Sequence, residues 1–172
     1  MSVATRCLLL LRHAEASQAL GTADHDRPLS ERGQKQAAAV GVYLAQEGLL
    51  PELAVVSTAR RTRTTWDQVR QKLPQVTPVE FEPKIYEARP EAILDVIHAL
   101  PAEPRCVLLL GHNPGMHAVA LQLAGSGDQA MRDQLDSIFP PGSLAVIEFD
   151  VEDWSEVGGG NGQLARFAIP SD

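Results

Sequence analysis

A chain of 172 residues with 44% hydrophobic and 22% charged side chains holds enough material for one domain with a full core, and residues 1–172 read as that single domain. Its formal net charge of −7 excludes a general nucleic-acid binder, and no apolar run reaches the roughly 20 residues a membrane helix needs. Residues 1–11 lack the hydrophobic length and small-residue cleavage site of a secretory leader, so the cytoplasm is the expected address.

In chain order, the first element is the run Cys7-Leu8-Leu9-Leu10-Leu11, short and apolar like a strand buried on both faces, and it stops at Arg12 and His13. Residues 14–29 read as an irregular loop ending in Asp24-His25-Asp26-Arg27-Pro28-Leu29. Ser30 then caps a helix from Glu31 to about Glu47, where Ala37, Val40, Gly41 and Leu44 recur at helical spacing and Gly48 ends the run. Leu53 to Ser57 is a second apolar strand. Trp66, Val69 and Leu73 mark the buried face of the next helix, which Pro74 breaks.

A short strand is predicted near Val79-Glu80-Phe81, with a turn into Ile85-Tyr86-Glu87 and a helix opened by Pro90 and carrying Ile93, Leu94 and Ile97. Cys106-Val107-Leu108-Leu109-Leu110-Gly111-His112 then repeats the spacing of Cys7 to His13. Asn113 is placed to cap, and Pro114 to begin, a helix with Val119, Leu121 and Leu123. Residues 125–136 are expected to form a helix or a mobile segment, followed by strands at Leu144–Phe149 and Gln163–Ile169 joined through Gly158–Gly162. Strands alternating with helices argue for βαβ units, an α/β fold and a mainly parallel sheet. Cys7 and Cys106 both fall inside buried strands and read as small core residues rather than a disulfide or metal site.

The chemistry gathers at strand ends, where open α/β sheets bind ligands. Arg12 and His13 follow the first strand, Arg60, Arg61 and Arg63 follow the second, and His112 follows its echo. A metal-free phosphoryl-transfer site needs a nucleophile and fixed cations for the equatorial oxygens; a neutral imidazole and planar guanidinium forks supply both. Any one of these residues alone is more often structural: His25, His98 and His117 are left in that class, Arg60 and Arg63 read as a solvated helix face, and Glu15 and Glu87 could be surface ion-pair partners. No histidine pair has the HExxH spacing, and the arginines would repel a divalent cation, so neither metal nor cofactor is expected.

In the right order, these motifs resemble those of the histidine phosphatase superfamily, the phosphoglycerate-mutase-like enzymes, and most closely its SixA-type phosphohistidine phosphatases. Leu11-Arg12-His13-Ala14-Glu15 resembles the Arg-His-Gly motif, with Ala14 in place of the common glycine. Arg27-Pro28-Leu29-Ser30-Glu31-Arg32-Gly33 resembles the entry to the first helix, and Gly111-His112-Asn113-Pro114-Gly115 the second-histidine motif. Residues 57–65 resemble SP-x-x-RA-x-QT with Thr58 for proline and Thr64 for glutamine, and that spacing selects Arg61. The resemblance implies a three-layer α/β/α sandwich, His13 as phosphoryl acceptor, and Arg12, Arg61 and His112 as the phosphate pocket. Glu87 is the only candidate acid that motif position supplies.

With no strong acid, a site favours leaving groups that depart easily, since protonating a leaving group is worth about 10²–10⁴-fold. The expected substrate is therefore phosphohistidine in a protein, with a small phosphomonoester or a non-catalytic phosphate-binding module as alternatives. A mutase would need a more enclosed pocket than so short a chain builds, and a dinucleotide binder would need a Gly-rich turn where Arg12-His13-Ala14 stands.

Overall fold

The two leucine-rich segments lie side by side. In the computed structural model, which describes residues 5–18 and 20–171, Thr5–Arg12 (β1) pairs in parallel with Cys106–Gly111 (β4), and the register joins Cys7 to Cys106 and Arg12 to Gly111. The sequence echo is thus a structural register: equal offsets along paired parallel strands bring His13 and His112 to the same end of the sheet.

The remaining elements are α1 (Glu31–Gln46), β2 (Leu53–Val56), α2 (Arg60–Arg70), β3 (Val79–Phe81), α3 (Pro90–His98), α4 (Gly115–Leu123), β5 (Ala124–Gly127), α5 (Gln129–Ser137), β6 (Leu144–Asp150) and β7 (Gly162–Ala168). The sheet order is β3-β2-β4-β1-β6-β7-β5, and β6 alone runs against the others. Alternate residues of β1 face opposite cores, which explains the unbroken leucine run. Leu9 and Leu11 pack with Val40, Leu44 and Trp66 of α1 and α2, whereas Leu8 and Leu10 pack with Ile93, Ile97, Val119 and Leu123 of α3 and α4. The result is the expected three-layer α/β/α sandwich around a mostly parallel sheet.

Three local readings change. Asn113 caps nothing: its Nδ2 donates to the Phe139 carbonyl at 2.8 Å, and α4 starts at Gly115 rather than at Pro114. Residues 125–136 hold an ordered helix preceded by β5, whose sequence Ala-Gly-Ser-Gly carries no strand signal and is held by pairing with β7. Cys7 and Cys106 are half-buried rather than core residues. The leader-sequence expectation falls partly on residues 1–4, outside those described.

The entry to α1 shows why glycine stands at position 33. Ser30 Oγ accepts from the Gly33 N–H at 3.0 Å, and the Ser30 N–H donates to the Glu15 carbonyl at 3.0 Å, so the helix start is laced to the loop after His13. A Cβ on Gly33 would lie 2.0 Å from that carbonyl oxygen. Gly33→Ala must push the loop away from the helix and should cost roughly 1–3 kcal/mol, read as a lowered denaturation midpoint at unchanged slope.

Candidate active site

Both histidines leave their strands with their rings turned toward each other, centroids 5.2 Å apart and planes inclined by 55°. His13 is 7% exposed and His112 is 6% exposed. His13 is held locally: its N–H donates to the Gly111 carbonyl at 3.1 Å, and Nδ1 lies 2.7 Å from the Ala14 carbonyl. A carbonyl only accepts, so Nδ1 carries the proton and the lone pair resides on Nε2. The Ala14 N–H in turn donates to Thr65 Oγ1 at 3.1 Å, and Thr65 Oγ1 donates to the Arg61 carbonyl at 2.7 Å. One threonine thereby ties the nucleophile loop to the helix that carries Arg61.

Arg61 lies on the buried face of α2, between the exposed Arg60 and Arg63. Its side chain is 5% exposed; Nη1 donates to the Asp24 carbonyl at 2.8 Å and Nη2 to Asp24 Oδ2 at 3.2 Å. Arg12 Nη1 donates to the Phe139 carbonyl at 3.0 Å. Among the described residues, Arg12 Nε, Arg61 Nε and His112 Nδ1 are buried with no hydrogen-bond partner. Buried groups of this kind are rare because each forfeits solvation, so several at one site mark a place for a ligand. His112 Nε2 lies 2.7 Å from Ser57 Oγ at the end of β2.

Electrostatics keep both imidazoles neutral. Burial above all, reinforced by Arg61 and Arg12, brings His13 down to about 4, against the opposing hydrogen bond to Ala14. Burial, with His13 and Arg61 nearby, brings His112 down to about 3. Burial also lowers Arg12. A histidine NMR titration should therefore show no inflection for either ring between pH 5 and 8. In the unfolded chain both rings protonate near pH 6.5, so the unfolded state binds more protons below that pH and stability should fall as pH drops from about 6.5 toward 4. A melting temperature that rose as the pH fell over that interval would contradict the assignment.

Three residues the motifs did not single out, Asp24, His25 and Tyr86, form the rim. Asp24 bridges Arg61, Arg27 and the Tyr86 hydroxyl, which donates to its carboxylate; this bond from Tyr86, then the arginines, holds Asp24 near 2, and the same bond pushes Tyr86 up to about 12. The Tyr86 ring stands edge-on to His112 at 5.5 Å and to His25 at 4.8 Å, and His25 Nε2 is 3.0 Å from Thr58 Oγ1. His25, placed in the structural class from sequence, is a rim residue. His98 and His117 are structural, bound to the carbonyls of Val157 and Leu135.

A family model, Histidine phosphatase superfamily (branch 1), matches residues 8–90. An uncharacterized protein of Mycobacterium tuberculosis is 30% identical over 162 residues, 93% of this chain and 99% of that one. A Nakamurella multipartitia protein provisionally designated phosphohistidine phosphatase SixA superposes with a TM-score of 0.81 at 30% identity, covering 99% of both chains. The protein of that designation from Agrobacterium tumefaciens has a TM-score of 0.77 at 31% identity, covering 96% of this chain and 98% of that one.

The chain belongs to the histidine phosphatase superfamily.

Within this histidine phosphatase, Arg12, His13, Arg61 and His112 converge from β1, α2 and β4. Glu87 does not join them. It is exposed, makes no hydrogen bond or ion pair among the described residues, and sits beside Tyr86 with its backbone at φ 51, a conformation uncommon for a residue with a Cβ. Glu15, by contrast, is a structural carboxylate that accepts from Ser30 Oγ at 2.9 Å and pairs with Arg32 at 3.6 Å. Among the described residues no group of three or more His, Cys, Asp or Glu side chains is arranged to hold a metal ion, and no helix is long and apolar enough to cross a membrane.

Proposed function

We propose that this phosphatase works through a phosphohistidine at His13 and acts on phosphohistidine in proteins. The observation that carries the reading is a neutral histidine with its Nδ1 proton committed to Ala14, set among buried Arg12, Arg61 and His112 nitrogens that have no acceptor of their own. In the first step the His13 Nε2 lone pair attacks phosphorus, the bond from phosphorus to the substrate nitrogen breaks, and the departing imidazole keeps that electron pair and takes a proton. Water then attacks phosphorus, the bond to Nε2 breaks, and phosphate leaves with His13 neutral again.

Arg12 and Arg61 supply the positive charge that a metal supplies elsewhere. His112 donates from Nδ1 if Ser57 Oγ donates to its Nε2, a direction favoured because the Ser57 oxygen lies within 3.5 Å of the Ala59 N–H. Glu87 is the proposed acid by motif position alone, and its exposed place at the rim suits a substrate whose leaving group asks little of an acid. Full activity in excess EDTA is expected, and a clear loss would return a metal to the mechanism.

The deciding experiment is rapid-quench intact-mass analysis after mixing with a histidine-phosphorylated carrier protein. A transient acid-labile phosphate adduct together with carrier dephosphorylation is expected. Faster hydrolysis of sugar phosphates than of the carrier would move the substrate to small phosphomonoesters, and carrier binding with neither adduct nor turnover would make the protein a phosphate-binding module.

A further inference from the structure

Away from the site, at the opposite ends of the same two strands, the only cysteines of the chain lie next to each other. Cys7 and Cys106 are register partners in the parallel pair β1–β4, and residues in register on parallel strands project from the same face. Both are half-buried and, like Tyr43, Leu49 and Leu73, pack against the edge of the α1–α2 core. Both residues are partly exposed, whereas residues one step along, such as Leu8 and Val107, are fully enclosed.

We propose that Cys7 and Cys106 are a redox-active thiol pair that a hydroperoxide converts to an intramolecular disulfide between β1 and β4. Adjacent strands lie about 4.8 Å apart, inside the roughly 4.4–6.8 Å range of Cα separations that a disulfide spans.

The division of labour follows from the surroundings. The neighbouring Cys106 thiol holds Cys7 below its ordinary range, against burial and the nearby Glu148, while Cys7 and burial raise Cys106. The Cys7 thiolate attacks the peroxide oxygen, the O–O bond breaks, and an alcohol or water leaves with the proton, giving a sulfenic acid. Cys106 sulfur then attacks Cys7 sulfur, the S–O bond breaks, and water departs with the Cys106 proton. Two thiols are oxidised by two electrons, and one hydroperoxide is reduced.

The test is intact-mass analysis of the full chain after hydrogen peroxide, with denaturing alkylation of the remaining thiols. The wild type should emerge about 2 Da lighter with neither cysteine alkylated, and dithiothreitol should restore both. In Cys106→Ser, Cys7 should accumulate as a sulfenic acid, about 16 Da heavier and trapped by dimedone. The proposal is overturned if both thiols of peroxide-treated wild type still alkylate, if they over-oxidise separately, or if the disulfide joins two copies. The wild-type measurement decides even if the variant folds poorly.

Discussion

Replacing His13 with Ala should abolish turnover, by roughly 10⁴–10⁶-fold if the imidazole is the covalent acceptor, the scale seen when a nucleophile or its essential partner is removed. The fold should survive. The His13 side chain makes one hydrogen bond, to the carbonyl of the next residue, and the strand's position is set by pairing with β4 and β6 through backbone atoms the substitution leaves in place. The melting temperature should move by only a few degrees, since about 1 kcal/mol shifts a domain of this size by roughly 2–4 °C. Rapid-quench mass analysis of the variant should show no phosphate adduct. A His13→Ala protein that still dephosphorylated the carrier would transfer the nucleophile role elsewhere, with His112 the first place to look.

Arg61→Ala should lower kcat/KM by about 10²–10³-fold, equivalent to about 3–4 kcal/mol of transition-state stabilisation, the scale of removing one preorganised electrostatic contact. Two effects combine. The phosphoryl group loses a guanidinium whose Nε is buried with no acceptor, and Asp24 loses one of its two arginine partners, keeping only Arg27, so the mouth of an anion site becomes more negative. Arg61→Lys should recover only part, because an ammonium keeps the charge but not the planar fork that meets Asp24 through two nitrogens. Arg60→Ala is the control: that side chain is exposed on the far side of α2 and should change the rate little. If Arg60 proved essential and Arg61 dispensable, the motif alignment that selects Arg61 would be off by one residue.

The contrast between those two arginines shows how far the chain can be read before it is folded. Arg61 was legible only through the resemblance of residues 57–65 to the family's second motif; the structure places it on the buried side of α2 with Thr62, Thr65, Trp66 and Val69, while Arg60 and Arg63 are exposed. Arg12, His13 and His112 were legible because a cation or an imidazole directly after a buried apolar run has to emerge at the strand's end, where an α/β sheet holds its ligand. The rim was not legible. Asp24 and His25 lie in a loop without periodicity, and Tyr86 follows a turn; nothing in their spacing says that Asp24 reaches Arg61 across 37 positions. β5 was invisible for a related reason, since a segment of alanine, glycine and serine becomes a strand only when β7 offers it a partner.

The sequence by itself determined the layered α/β architecture and the residues that end its central strands, because hydrophobic periodicity and strand termini are local properties written into a few neighbouring side chains. Only the tertiary structure decided what those residues meet. The pairing of β1 with β4 turned two similar heptads into facing imidazoles at one end and facing thiols at the other, and the loop at Asp24 completed the mouth of the site, because contacts between distant segments depend on strand order and loop path, which no local pattern encodes.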